Sequence, residues 1–132
     1  MNTEELRKDD MMAHLMDSLD AGEDIGHYGR LVFVMVGHHF LTDDELVSWL
    51  CKDKSCDEND ARAMVMSVKS KNYNPPKREK ILQFQKQQDF PICPSSDPDA
   101  CNVYRNLKFP QEVYEHIQQY QIEKAEAQMD QE

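Results

Sequence analysis

Glycine and proline are distributed so unevenly along this chain that their positions mark out its helices. All four glycines lie between Gly22 and Gly37, and all six prolines lie between Pro75 and Pro110. Thr3 to Ala21 holds no breaker, and Leu6, Met12, Leu15, Met16 and Leu19 recur at helical spacing. That pattern predicts one amphipathic helix with an acidic outer face, ended at Gly22. After Gly26 comes a run apolar nearly all round, Leu31-Val32-Phe33-Val34-Met35-Val36, closed by Gly37 and His38-His39. Periodicity alone does not separate a buried strand from a buried helix here. Helix is expected, because the flanking segments are helical and no second strand is visible to pair with it.

The next boundaries are sharper. Thr42-Asp43-Asp44-Glu45 has the spacing of a capping box, with Leu46, Val47, Trp49 and Leu50 forming the apolar stripe behind it. Asp57-Glu58-Asn59-Asp60 sets negative charge at the start of another helix, as the helix dipole favours, and Ala61, Met64, Val65 and Val68 point inward as it runs to about Lys71. Asn72-Tyr73-Asn74-Pro75-Pro76 ends it, since neither proline can continue a helix. Lys77 to Gln88 restarts as helix, with Ile81, Leu82 and Phe84 on its inner side.

From Asp89 to Pro110 four prolines and Ser95-Ser96-Asp97 predict a long loop, interrupted by a short helix around Asn102 to Leu107. Loops of this length within a domain are functional or tied down. The last segment, Gln111 to Glu132, is a polar helix whose apolar residues Val113, Ile117, Tyr120 and Ile122 run out, so its final turns are expected to fray. The fold class is all-α: a single compact helical domain with a long proline-rich loop, divided into residues 1–117 and a polar C-terminal helix, 118–132.

A chain of 132 residues can bury a core without a disulfide framework. No apolar run approaches a membrane span, and MNTEELRKDD is acidic where a signal peptide would be basic then apolar, so a cytoplasmic setting with no membrane partner is expected. In such a setting metal binding, redox chemistry or burial outranks structural disulfides for Cys51, Cys56, Cys93 and Cys101, and burial is expected of both Cys51 and Cys56. With 25 acidic against 15 basic residues the net charge is -10, which argues against nucleic-acid binding over the whole surface but not at a local basic face.

Three features could carry chemistry. His27-Tyr28-Gly29-Arg30 sets an Arg at the mouth of the apolar helix with a His three residues earlier, suited to phosphate or carboxylate; the plainer reading is an Arg30 paired with Glu23 or Asp24 and a capping His. Lys69, Lys71, Lys77, Arg78, Lys80 and Lys86 gather about the Tyr73 turn, a candidate phosphate-binding face with a ring for stacking, or an ordinary solvated helix face. Cys93-Pro94 with Cys101 could supply two of the four ligands that zinc or an iron-sulfur cluster takes. His14, His38, His39 and His116 fall in no ligand pattern, and Met11, Met12, Met16, Met35, Met64 and Met66 read mainly as core filling.

These features follow one another in an order that resembles the C-terminal domain of the large subunit of archaeal and eukaryotic DNA primase, over roughly Met11 to Ile117. The resemblance rests on Gly22-Glu23-Asp24-Ile25-Gly26-His27-Tyr28-Gly29-Arg30, on Leu41-Thr42-Asp43-Asp44-Glu45, on Tyr73-Asn74-Pro75-Pro76, and on Cys93-Pro94 followed by Cys101. That domain is all-α and holds a [4Fe-4S] cluster on four cysteines. In this chain the first two ligand positions would fall near Met11 and Arg78, neither a thiolate, which leaves Cys93 and Cys101 as remnants. The chain thus resembles a cluster-less relative, like the small non-catalytic third subunit of some archaeal primases.

The resemblance implies a role in primer initiation with no catalysis by the chain alone. His27 and Arg30 would contact nucleotide triphosphate, and Lys69, Lys71, Tyr73, Lys77, Arg78 and Lys80 would contact template or primer DNA. The implied partners are a catalytic primase small subunit or another replication protein, single-stranded or primer-template DNA, and nucleotide triphosphate; no cofactor is expected. Two readings compete: a protein-interaction or DNA-mimic subunit that kept the fold without nucleic-acid binding, and a four-cysteine protein holding zinc or an iron-sulfur cluster.

Overall fold

A computed structural model of the chain describes residues 2–129, the side chains of Tyr120, Gln121 and 123–129 excepted. Eight helices and no strand occur among the described residues: α1 (Thr3–Leu6), α2 (Asp10–Asp20), α3 (Gly26–Gly37), α4 (Asp43–Leu50), α5 (Glu58–Lys71), α6 (Arg78–Gln85), α7 (Val103–Asn106) and α8 (Gln111–Met129). The fold is all-α, and no helix among the described residues is long and apolar enough to cross a membrane.

The apolar run is helix α3, the hub of the fold, which packs against α2, α4, α5 and α6. Surrounded in this way it buries Val32, Phe33, Val34, Met35 and Val36 rather than a single stripe. Leu15, Leu19, Leu46, Leu50, Ala61, Val65 and Ile81 close on it from the neighbouring helices. Phe33 is fully buried with its ring centroid 6.4 Å from that of Trp49, so truncation to Ala would cost about 3–5 kcal/mol.

The single N-terminal helix expected from Thr3 to Ala21 is two. Asp9 breaks it by taking an extended backbone (ψ 123°) and accepting the Met12 N–H at 3.0 Å, which starts α2 afresh. Asp9 is fully buried and also accepts from Asn106 Nδ2 at 2.9 Å, a bond that ties α7 to the start of α2. Burial is the dominant influence on its carboxyl and raises its pKa.

The capping box forms as expected, with Glu45 N–H donating to Thr42 Oγ1 and Thr42 N–H to Glu45 Oε1. Asn72 closes α5 in the left-handed conformation, which turns the chain sharply into Tyr73. Helix α6 is shorter than expected, ending at Gln85, because Gln88 is used elsewhere. Its side chain accepts the Tyr28 N–H and donates to the carbonyls of Ile25 and Phe90, stitching the start of α3 to the segment after α6. Gly26 sits there at φ +79°, and a Cβ at that position would collide with the Gln88 amide.

Two expectations about sulfur fail. Cys93 and Cys101 are joined by a disulfide, both buried, with Cα atoms 5.9 Å apart across a separation of eight residues. The proline-rich loop is therefore tied down by covalent closure, an outcome that a reducing setting disfavours. Cys51 is exposed at the end of α4, whereas Cys56 is buried as expected. Met66 likewise points outward, 71% exposed, while the other five methionines of that set are buried or pack against the core. The backbone of α8 is helical through Met129; the expected fraying concerns residues 118–132, of which 130–132 lie outside the described residues.

Candidate nucleic-acid interface

Arg30 stands one turn into α3, and its local chemistry is set by two carboxylates. Its Nη1 donates to Asp53 Oδ2 at 2.9 Å and to Asp24 Oδ1 at 3.3 Å, with the Arg30 side chain 14% exposed. Asp53, fully buried in the turn after α4, also accepts the N–H groups of Ile25 and Ser55, at 3.1 and 2.8 Å. Asp24 accepts from Gly26 N–H and Ser55 Oγ; those bonds, the Gly26 one foremost, hold its carboxyl below its usual pKa. Arg30 thus closes a polar lock between the start of α3 and the turn after α4. The plainer reading holds for the ion pair with Asp24 but not for a capping His, since no side chain caps the start of α3; Asp53, 23 residues away, is a stronger partner that local spacing does not reveal.

The locked guanidinium still lines a cleft of about 630 Å³ between α3 and α5. Into it the fold brings His27 and Arg30 from one segment and Lys71 and Tyr73 from another, with Ser55, Ser67 and Asp60 as further polar lining. His27 is exposed, with its ring edge-on to Tyr28. The Tyr73 ring is 41% exposed, and the Lys71 ammonium lies 5.8 Å from its centroid. A face of this kind offers an aromatic platform beside an exposed cation and hydroxyls, the set that a stacked base and its phosphate require. Cys56 also lines the cleft, where burial pushes its thiol pKa up and favours the protonated form.

The basic segment does not form one face. Lys69 is drawn away by an ion pair with Asp43 at 2.7 Å, on the α4 side of α5. Lys77 and Arg78 line a second cleft, and the Lys80 ammonium lies 5.1 Å from the centroid of Phe84. Helical rotation and the Pro75-Pro76 turn disperse residues that are close in sequence, so only Lys71 and Tyr73 meet His27 and Arg30. The turn itself is backed by His39, Asn74 and His116, with His116 Nδ1 2.6 Å from Asn74 Oδ1.

Neither Cys93 nor Cys101 can serve as a metal ligand as it stands, because a disulfide has no thiolate to donate. Met11, at the first of the inferred ligand positions, is fully buried in the apolar core. Among the described residues no group of three or more His, Cys, Asp or Glu side chains is arranged to hold a metal ion. No protein-family model, curated protein or solved structure matches the chain.

Proposed function

We propose that the chain is a non-catalytic accessory module for primer initiation, which holds single-stranded or primer-template DNA and a nucleotide triphosphate for a catalytic primase subunit. The observation that carries this reading is the convergence of His27 and Arg30 with Lys71 and Tyr73 in one cleft, since these are the residues for which the primase resemblance implies phosphate and template contacts. Tyr73 supplies the stacking surface, Lys71 the phosphate contact, and His27 with the outer edge of Arg30 a second polar wall. The cationic count is small and Asp60 opposes it, so binding is local, weak and sensitive to salt.

Fluorescence anisotropy of labelled single-stranded and primer-template DNA across a salt series tests the reading. Tyr73→Ala should weaken binding by about 1–3 kcal/mol, the usual worth of one base stacked on an aromatic ring. Lys71→Ala should reduce the salt dependence by about one phosphate contact. Both side chains are exposed, so neither change should disturb the fold. Binding that is absent at low salt, or equal in both variants and the parent, would remove the nucleic-acid role. Failure of the chain to raise initiation by a reconstituted primase would remove the primase role alone.

A further inference from the structure

Arg78 is out of keeping with its surroundings. In a chain of net charge -10, Arg7, Arg30 and Arg62 each pair with carboxylates, at 2.7 to 3.5 Å. Arg78 is half-buried and makes no ion pair or hydrogen bond among the described residues, and its Nη1 is sealed from water without an acceptor. Withdrawing a guanidinium from water without an acceptor is costly, so such groups ordinarily have partners.

The side chain borders a cleft of about 650 Å³ between α6, the disulfide loop and α8, distinct from the cleft of Tyr73. Its volume falls within the range of small-molecule sites, roughly 300–1,000 Å³. Lys77 and Glu79 flank Arg78, and Leu82, Tyr104 and Tyr114 supply apolar and aromatic walls. The Tyr104 hydroxyl donates to the Pro75 carbonyl, and burial pushes its pKa up to about 12. Tyr114 Oη accepts the Phe109 N–H. The two rings are therefore fixed in place, and Tyr104 stays uncharged.

We propose that this cleft is a binding site for a monoanionic carboxylate with a flat aromatic body, its carboxylate on Arg78 and its ring against Tyr104 and Tyr114. Two cations and one carboxylate leave a local charge of +1, which matches a carboxylate better than a dianionic phosphate. The Nε–Nη2 edge of the planar guanidinium, which leaves out the sealed Nη1, fits the two oxygens of a carboxylate, and offset packing on the tyrosine rings suits an aromatic body. Either a free aromatic acid or the C-terminal carboxylate of a peptide ending in an aromatic residue presents this chemistry.

Titration calorimetry of the full chain with naphthoate, with an N-acetylated dipeptide ending in phenylalanine, with its C-terminal amide and with adenosine monophosphate tests the site. At least one of the two carboxylates should bind, and whichever binds identifies the source. Amidation should abolish dipeptide binding, and adenosine monophosphate should bind more weakly than the better carboxylate. Arg78→Gln should weaken binding about tenfold or more while leaving the circular dichroism spectrum and the Tyr73-dependent DNA affinity unchanged. Lys77→Gln, which keeps Arg78, should weaken it less. Absence of binding by both carboxylates, equal binding to Arg78→Gln, or preference for adenosine monophosphate would each overturn the assignment.

Discussion

His38 and His39, just after α3, make the stability of this protein depend on pH between neutrality and about pH 4.5. Their ring centroids are 3.8 Å apart, and the Nε2 atom of each is buried without a hydrogen-bond partner. Burial, reinforced by the neighbouring His38, lowers the pKa of His39 from 6.5 to about 4, and burial lowers that of His38 as well. Both are therefore neutral at physiological pH. A histidine whose pKa is depressed in the folded state contributes stability that is fully present above the unfolded value, about 6.5, and is lost as pH falls towards the folded value. For His39 alone, the loss between about pH 7.5 and pH 4.5 comes to about 2 kcal/mol, with His38 acting in the same direction.

Urea unfolding followed by circular dichroism at several pH values in that window measures the slope directly. His39→Gln cannot titrate, so the variant should lose about 2 kcal/mol less than the parent over the same range. Asp24 and Glu45, whose pKa values are lowered, lose stability only at more acidic pH, and Asp9, whose pKa is raised, shifts the balance the opposite way. The difference between parent and variant isolates His39 from all three. Equal slopes in the two proteins would refute the reasoning.

Two further perturbations probe the locks around the clefts. Asp53→Ala strips the buried acceptor from Arg30, Ile25 and Ser55 and should cost about 3 kcal/mol in urea unfolding, whereas Asp24→Ala, at the exposed end of the same lock, should cost at most about 1 kcal/mol; equal losses would place the lock elsewhere. Cys93→Ser with Cys101→Ser opens a closure spanning eight residues and should lower stability by about 2.5 kcal/mol on the chain-entropy account, and non-reducing mass spectrometry of the parent should show the pair two hydrogens lighter than the dithiol.

The sequence by itself determined what local rules govern. Glycine and proline placement, the capping box at Thr42 and the apolar runs settle most helix boundaries, because they act through backbone geometry and hydrogen bonds within a few residues. It failed at Asp9, where a buried side chain capping α2 outweighs an unbroken helical pattern, and at Gln88, whose amide serves the start of α3 sixty residues away. The site divides in the same way. His27, Arg30, Lys71 and Tyr73 were legible as residues suited to phosphate and bases, but their meeting in one cleft depends on how α3 packs against α5.

Tertiary structure alone decided that Lys69, Lys77, Arg78 and Lys80 go elsewhere, that Arg30 is held by Asp53, and that Cys93 and Cys101 bond to each other. Local patterning fixes which face of a helix is apolar. It does not fix the rotation and translation of one helix against another, and ion pairs, clefts and disulfides exist only once those distances are set.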